Sequence, residues 1–167
     1  EWGMKSYSTD AFLTEFFSQD DLRALAADAG ALLGCPLLVL DDTFRVMAHY
    51  RPLGFTDPLF QEAIRQVQIT YEASAILSRS EAVHVGKADY VKLEGSEFRR
   101  RISPLISSGV RLGYLICVDL DDHLQTVSED VFRTVETVLA KQLLMEAGQQ
   151  ERPFETAEEI LMHLLDG

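Results

Sequence analysis

The chain has 167 residues, 47% of them hydrophobic and 25% charged, and a net charge of −12. That length suits one domain with an appended helical segment. The acidity argues against contact with nucleic acid or an anionic membrane surface, both of which require clustered Lys and Arg. No apolar run approaches the roughly 18 residues of a membrane span.

Residues 1–20 are expected to form an N-terminal helical segment. Thr9 is the expected N-cap of a short helix from Asp10 to Phe17, with Phe12, Phe16 and Phe17 on one side, and Ser18 to Asp21 is a stop and restart. Asp21 to Leu33 is the clearest amphipathic helix, because Leu22, Leu25, Ala26, Ala29, Leu32 and Leu33 recur at helical spacing. Gly30 inside it is a mild cost, and Gly34 ends it as a left-handed cap. Pro36 to Leu40 and Arg45 to His49 read as strands around a turn at Asp41 to Thr43.

Tyr50 to Asp57 is a loop, after which Asp57 caps a helix with Pro58 at its first position, where a proline is tolerated. Leu59, Phe60, Ala63, Ile64 and Val67 form its apolar face. Thr70 starts another helix, ending near Ser80, with Ala73, Ile76 and Leu77 facing inward. Glu81 to Val85 reads as a short strand and Gly86 to Ser96 as a loop.

The strongest pattern runs from Phe98 to Asp119. Phe98, Arg100 and Ile102 alternate with Arg99, Arg101 and Ser103; beyond a turn at Ser107, Ser108 and Gly109, Val110, Leu112, Tyr114, Ile116 and Val118 share one face. This period of two predicts a hairpin. Its second strand, apolar on both faces, is expected at the centre of a sheet with layers above and below. Ser128 then caps a helix from Glu129 to about Ala147 with two apolar stripes, Phe132, Val135, Leu139 and Leu143 beside Val131, Val138 and Met145. Gly148 to Pro153 reads as a polar linker. Thr156 and Glu159 form a capping box for a last helix that presents Ile160, Leu161, Leu164 and Leu165. Tightly joined strands and grouped helices predict an α+β fold with an antiparallel sheet.

The run ISPLISSGVRLGYLICVD resembles the central hairpin of GAF-like sensory domains. The wider chain resembles the N-terminal region of PucR/CdaR-type transcriptional regulators, on LLGCPLLVLDDTFRVMAH at 32–49, the D-P-L-F-Q helix from 57, TYEASAIL from 70, the hairpin, and the closing EEILMHLLDG. The resemblance implies a GAF/PAS-like sheet flanked by helices over residues 21–147, and, over 148–167, a linker and the start of a helix leading to a further domain. It also implies a ligand-sensing and dimerisation domain without catalytic residues, which signals to a helix-turn-helix region beyond Gly167. DNA would be contacted only there. The alternatives are a sensor module of a signalling kinase or cyclic-nucleotide enzyme, and a dimerisation module with no ligand.

The chemistry-bearing residues are sparse. His49, His84, His123 and His163 lack metal-ligand spacing, and Asp119, Asp121, Asp122 and His123 lack the pattern of a calcium loop, so no metal or cofactor is expected. There is no G-x-S-x-G and no phosphate-binding glycine loop, so no enzymatic activity is expected. Cys35 and Cys117 have no C-x-x-C spacing and read as buried thiols in a reducing cytoplasm, with a disulfide or metal pair as the alternative. Arg99, Arg100 and Arg101 either pair a bound carboxylate or phosphate or balance neighbouring acids on a solvated face. The candidate ligand-binding set is Tyr50, Tyr71, Tyr90, Arg99 and Arg101, for an unknown small-molecule effector. The candidate homodimer contact is Leu22, Leu25, Val131, Val138 and Met145.

Overall fold

The computed structural model describes the backbone of residues 8–18 and 21–166, with the side chains of 8–16 and 21–148. The readings at residues 1–7 and 19–20, the side chain of Phe17, and the apolar face and capping box expected at 156–165 lie outside the described residues. Two helices, α1 (Thr9–Ser18) and α2 (Leu22–Leu33), precede the hairpin of β1 (Leu37–Asp41) and β2 (Val46–Tyr50). Three more follow: α3 (Pro58–Gln66), α4 (Tyr71–Arg79) and the single turn α5 (Glu81–His84). Then come β3 (Asp89–Lys92), β4 (Arg99–Ser107), β5 (Val110–Asp119), a 3-10 turn at His123–Thr126, and α6 (Glu129–Asp166).

The five strands form one antiparallel sheet in the order β2-β1-β5-β4-β3. β5 is central, as its two apolar faces require. One face carries Leu37, Val39, Leu105, Leu115 and Cys117 against α1, α2 and α6. The other carries Leu38, Leu40, Ile102, Tyr114 and Ile116 against α3, α4 and α5. The β4–β5 hairpin turns through Ser108 (φ 53°) and Gly109 (φ 76°), both left-handed, the geometry whose twist matches the flanking strands.

The caps are local and fall where the side chains dictate. Asp21 accepts from the Arg23 N–H, Asp57 from Phe60 and Thr70 from Ala73, and Gly34 leaves α2 at φ 70°. Three expectations are corrected. Glu81 to Val85 is not a strand: the Ser80 hydroxyl accepts the Val83 N–H and starts the turn α5. The expected loop at Gly86 to Ser96 contains β3, which pairs Tyr90 with Arg101 and Val91 with Arg100. The expected linker at Gly148 to Pro153 and the restart at Thr156 lie within one backbone helix of 38 residues. Good helix formers at Met145-Glu146-Ala147 and Gln149-Gln150-Glu151 flank Gly148.

Candidate functional site

Strand alternation places Arg100 on the face of Ile102 and Ile116, under α3 and α4. A cation on an otherwise aliphatic face needs a counter-ion. Asp57, 43 residues upstream, supplies it: Oδ2 lies 2.6 Å from the Arg100 guanidinium, with side-chain exposures of 1% and 4%. The same carboxylate caps α3 by accepting the Phe60 N–H at 3.0 Å, and accepts the Ser96 hydroxyl at 2.6 Å. A second guanidinium nitrogen donates to Ser96 Oγ and, at 3.0 Å, to the Phe98 carbonyl. Burial pushes the Asp57 carboxyl up, but the hydrogen bonds from Ser96 and Arg100 and the Arg100 charge outweigh it and hold the carboxyl below its usual value. One guanidinium therefore clasps the start of α3, the β3–β4 loop and β4 together.

Beside this clasp, between the sheet and α3/α4, lie two small cavities of about 30 and 10 Å³. They share Ala73, Leu93, Arg100 and Ile116 as walls. Phe60, Ala63 and Leu38 close the first, and Leu77, Val91 and Ile102 the second. Among the described residues Arg100 is the only ionisable one lining either.

The candidate ligand residues are not gathered at this place. Tyr50 lies on the opposite side of the sheet, its ring filling the space a side chain on Gly30 would need. Tyr71 is 89% exposed at the first turn of α4. Tyr90 and Arg99 do meet, the guanidinium 4.8 Å from the ring centre. Arg99 also pairs with Asp119 at 3.1 Å and Asp122 at 3.5 Å in an open surface depression with Glu97. Arg101 is 2% exposed beneath α6, 2.7 Å from Glu136, 3.3 Å from Glu129, and stacked 3.6 Å from the centre of Phe132. The arginine run thus balances neighbouring acids, but Arg100 and Arg101 do so in the interior and not on a solvated face. Sequence reasoning weighed Arg100 within the arginine run and read Asp57 as a helix cap, but placed neither in the candidate ligand set. The available signal was a guanidinium in phase with Ile102 on an apolar strand face.

Of the candidate dimer residues, Leu22, Leu25 and Val138 are buried in the chain's own core, Val131 is half-buried, and Met145 is 42% exposed. Cys35 and Cys117 are free and buried on the α2/α6 side, and their hydrogen bond followed by burial pushes the Cys35 thiol up. Among the described residues no cluster of His, Cys, Asp and Glu has the arrangement of a metal site.

No protein-family model matches the chain, and no curated protein matches it in sequence. Solved structures do match in shape. The GAF domain of a phosphoenolpyruvate-protein phosphotransferase from Acinetobacter superposes with a TM-score of 0.54 at 14% identity, over 86% of this chain and 94% of that one. The chromophore-binding domain of a bacteriophytochrome from R. palustris gives 0.53 at 13% identity, over 87% and 61%. The phycocyanobilin-bound GAF domain of a cyanobacterial phytochrome gives 0.50 at 17% identity, over 86% and 96%. The sheet and its flanking helices have the GAF fold.

Proposed function

We propose that the chain is a sensory domain that binds a small molecule between the sheet and α3/α4, and that it is the input half of a PucR/CdaR-type transcriptional regulator. The observation that carries the ligand site is the Arg100–Asp57 pair beside two internal cavities. A buried ion pair adds little net stability compared with well-packed apolar residues, so its place against both of these small cavities favours a role in recognition. The fold supports sensing as the general role. The regulator type rests on the motifs at 32–49, from 57, from 70, in the hairpin and in the closing EEILMHLLDG.

In this reading the domain has no catalysis of its own and works in the cytoplasm. Ligand binding shifts the population between two packings of α3/α4 on the sheet. α6, held to the other face by Arg101 and Glu136, carries the change to a second copy and to the DNA-binding region. Contact with DNA belongs to that region, given the net charge of −12. The second copy would meet the exposed Leu144 and Met145 of α6; a monomer by light scattering at high micromolar concentration rejects this contact.

The test is a thermal-shift screen of small metabolites on the native chain and on Arg100→Met. A compound that stabilises the native chain and not the variant supports the site. A second reading, a dimerisation module without ligand, is favoured by the small size of the cavities. A screen without hits on a protein that is dimeric by light scattering selects it.

A further inference from the structure

The lining of the α3/α4 space restricts the charge of whatever binds there. Of its walls only Arg100 ionises, and the remainder within reach are aliphatic or aromatic, with Thr70 the one uncharged polar side chain. Thr70 Oγ1 is taken up in capping α4, accepting the Ala73 N–H at 3.2 Å. The Arg100 charge is already matched by Asp57 at 2.6 Å, and three of its five N–H donors are engaged, by Asp57, Ser96 and the Phe98 carbonyl. The clasp is therefore neutral as a unit. An anion entering this space would be a third charge with no free cation to meet it, and burying an unmatched charge is strongly unfavourable. A cation would find no free carboxylate. The two present spaces, of about 30 and 10 Å³, share Ala73, Leu93, Arg100 and Ile116 as walls. The outer side of α4 is open to solvent at Tyr71 and Glu72, so an outward shift of this short helix would enlarge the space without breaking a strand pairing.

We infer that the ligand is a small uncharged molecule with a compact hydrocarbon body and at most one or two hydrogen-bond acceptors, taken up between α4 and the Arg100 side of the sheet. This rests on the sensory reading above and narrows it. The role of Asp57 is to reserve the site for neutral molecules, since it occupies the guanidinium that a carboxylate or phosphate would otherwise take.

Three probes with the same branched carbon body test it on the full 167-residue chain: methyl isobutyl ketone, isovalerate and leucine. The readout is saturable shift of the Leu38, Leu93 and Ile116 methyl resonances. The ketone is expected to bind at least about tenfold more tightly than isovalerate or leucine, the scale set by leaving one buried charge unmatched. In Asp57→Asn the asparagine still caps α3, but Arg100 is unmatched, and isovalerate is expected to overtake the ketone. Isovalerate or leucine binding the native chain as tightly as the ketone overturns the ligand class and leaves the sensory site standing. Silence from all three probes also overturns the ligand class, while the sensory reading is decided by the metabolite screen above. The ranking on the native chain decides the matter even where the variant does not fold.

Discussion

The carboxylate of Glu146 accepts the backbone N–H of Leu22 at 2.7 Å, across 124 residues of chain. Leu22 is the first residue of α2, whose first-turn donors lack partners within the helix. α6 thus caps α2 from outside, and Gln142 holds the cap by donating to the same Glu146 oxygen at 2.9 Å. Glu146→Ala is expected to destabilise the chain by about 1 kcal/mol, through the lost acceptor and the lost negative charge at a helix start. For a chain of this size that is about 2–4 °C in Tm. Glu146→Gln, which keeps an oxygen acceptor, should lose less than half as much. Equal losses in the two variants would assign the effect to packing.

Asp57 links stability to pH. Its carboxyl is held below the usual value by Ser96 and Arg100 against the upward push of burial. A depressed carboxyl contributes stability that is complete above its unfolded value, about 3.9, and is lost as pH falls through the folded value. In urea titrations the native chain and Asp57→Asn should therefore differ most near pH 7. The gap should narrow below about pH 4. Asp57→Ala, which strands the buried guanidinium and removes the cap, should lose about 3–5 kcal/mol at neutral pH. A gap that widens in acid would contradict the depressed carboxyl.

The features legible in the sequence are those set by neighbours in the chain. The caps at Asp21, Asp57 and Thr70 need only a side chain and an N–H two or three residues on. The hairpin needs an alternation long enough to exclude other periods. β3 fails that condition with four residues, Asp89 to Lys92, whose partner β4 supplies most of the information. α5 is decided by Ser80, which accepts the Val83 N–H and also donates to Asp89 at 2.8 Å, a contact no local pattern contains. The centre of the candidate site was hidden for the same reason. Arg100 reads as part of a surface-like basic run until Asp57, from another helix start, is placed beneath it. The long-range pairs Arg101–Glu136 and Leu22–Glu146 are likewise products of topology.

Val67 ends α3 in the left-handed region, at φ 56° and ψ 30°. Its N–H donates to the Ala63 and Ile64 carbonyls, and its own carbonyl accepts the Val46 N–H at 3.1 Å. A β-branched side chain is strained there, whereas glycine is the usual residue at this position. The residue is 40% exposed, so its removal sacrifices only part of a full valine's burial. Val67→Gly is expected to stabilise the chain by about 0.5–1 kcal/mol, the relief of strain being offset in part by the freer unfolded chain. The urea midpoint should rise with an unchanged slope. A fall in the midpoint would show that Val67 contacts outweigh the strain.

Arg101 and Glu136 fasten α6 to the sheet, and their unequal exposure predicts unequal single-site effects. Arg101 is 2% exposed and its Nε has no hydrogen-bond partner, while Glu136 keeps 21% of its side chain in solvent. Glu136→Leu leaves a buried guanidinium with only the well-exposed Glu129 at 3.3 Å, and should destabilise by about 3 kcal/mol. Arg101→Met keeps an apolar stem over Phe132 and leaves a carboxylate that water can reach, so its effect should be about 1–2 kcal/mol. The double variant replaces the pair with apolar side chains and should lie within about 1 kcal/mol of the native chain. The three values, taken from urea unfolding, close a cycle whose interaction energy, the double loss less the two single losses, is about 3–6 kcal/mol in magnitude. If the two single losses simply add in the double variant, the pair is not coupled, and α6 is held by its apolar stripe alone.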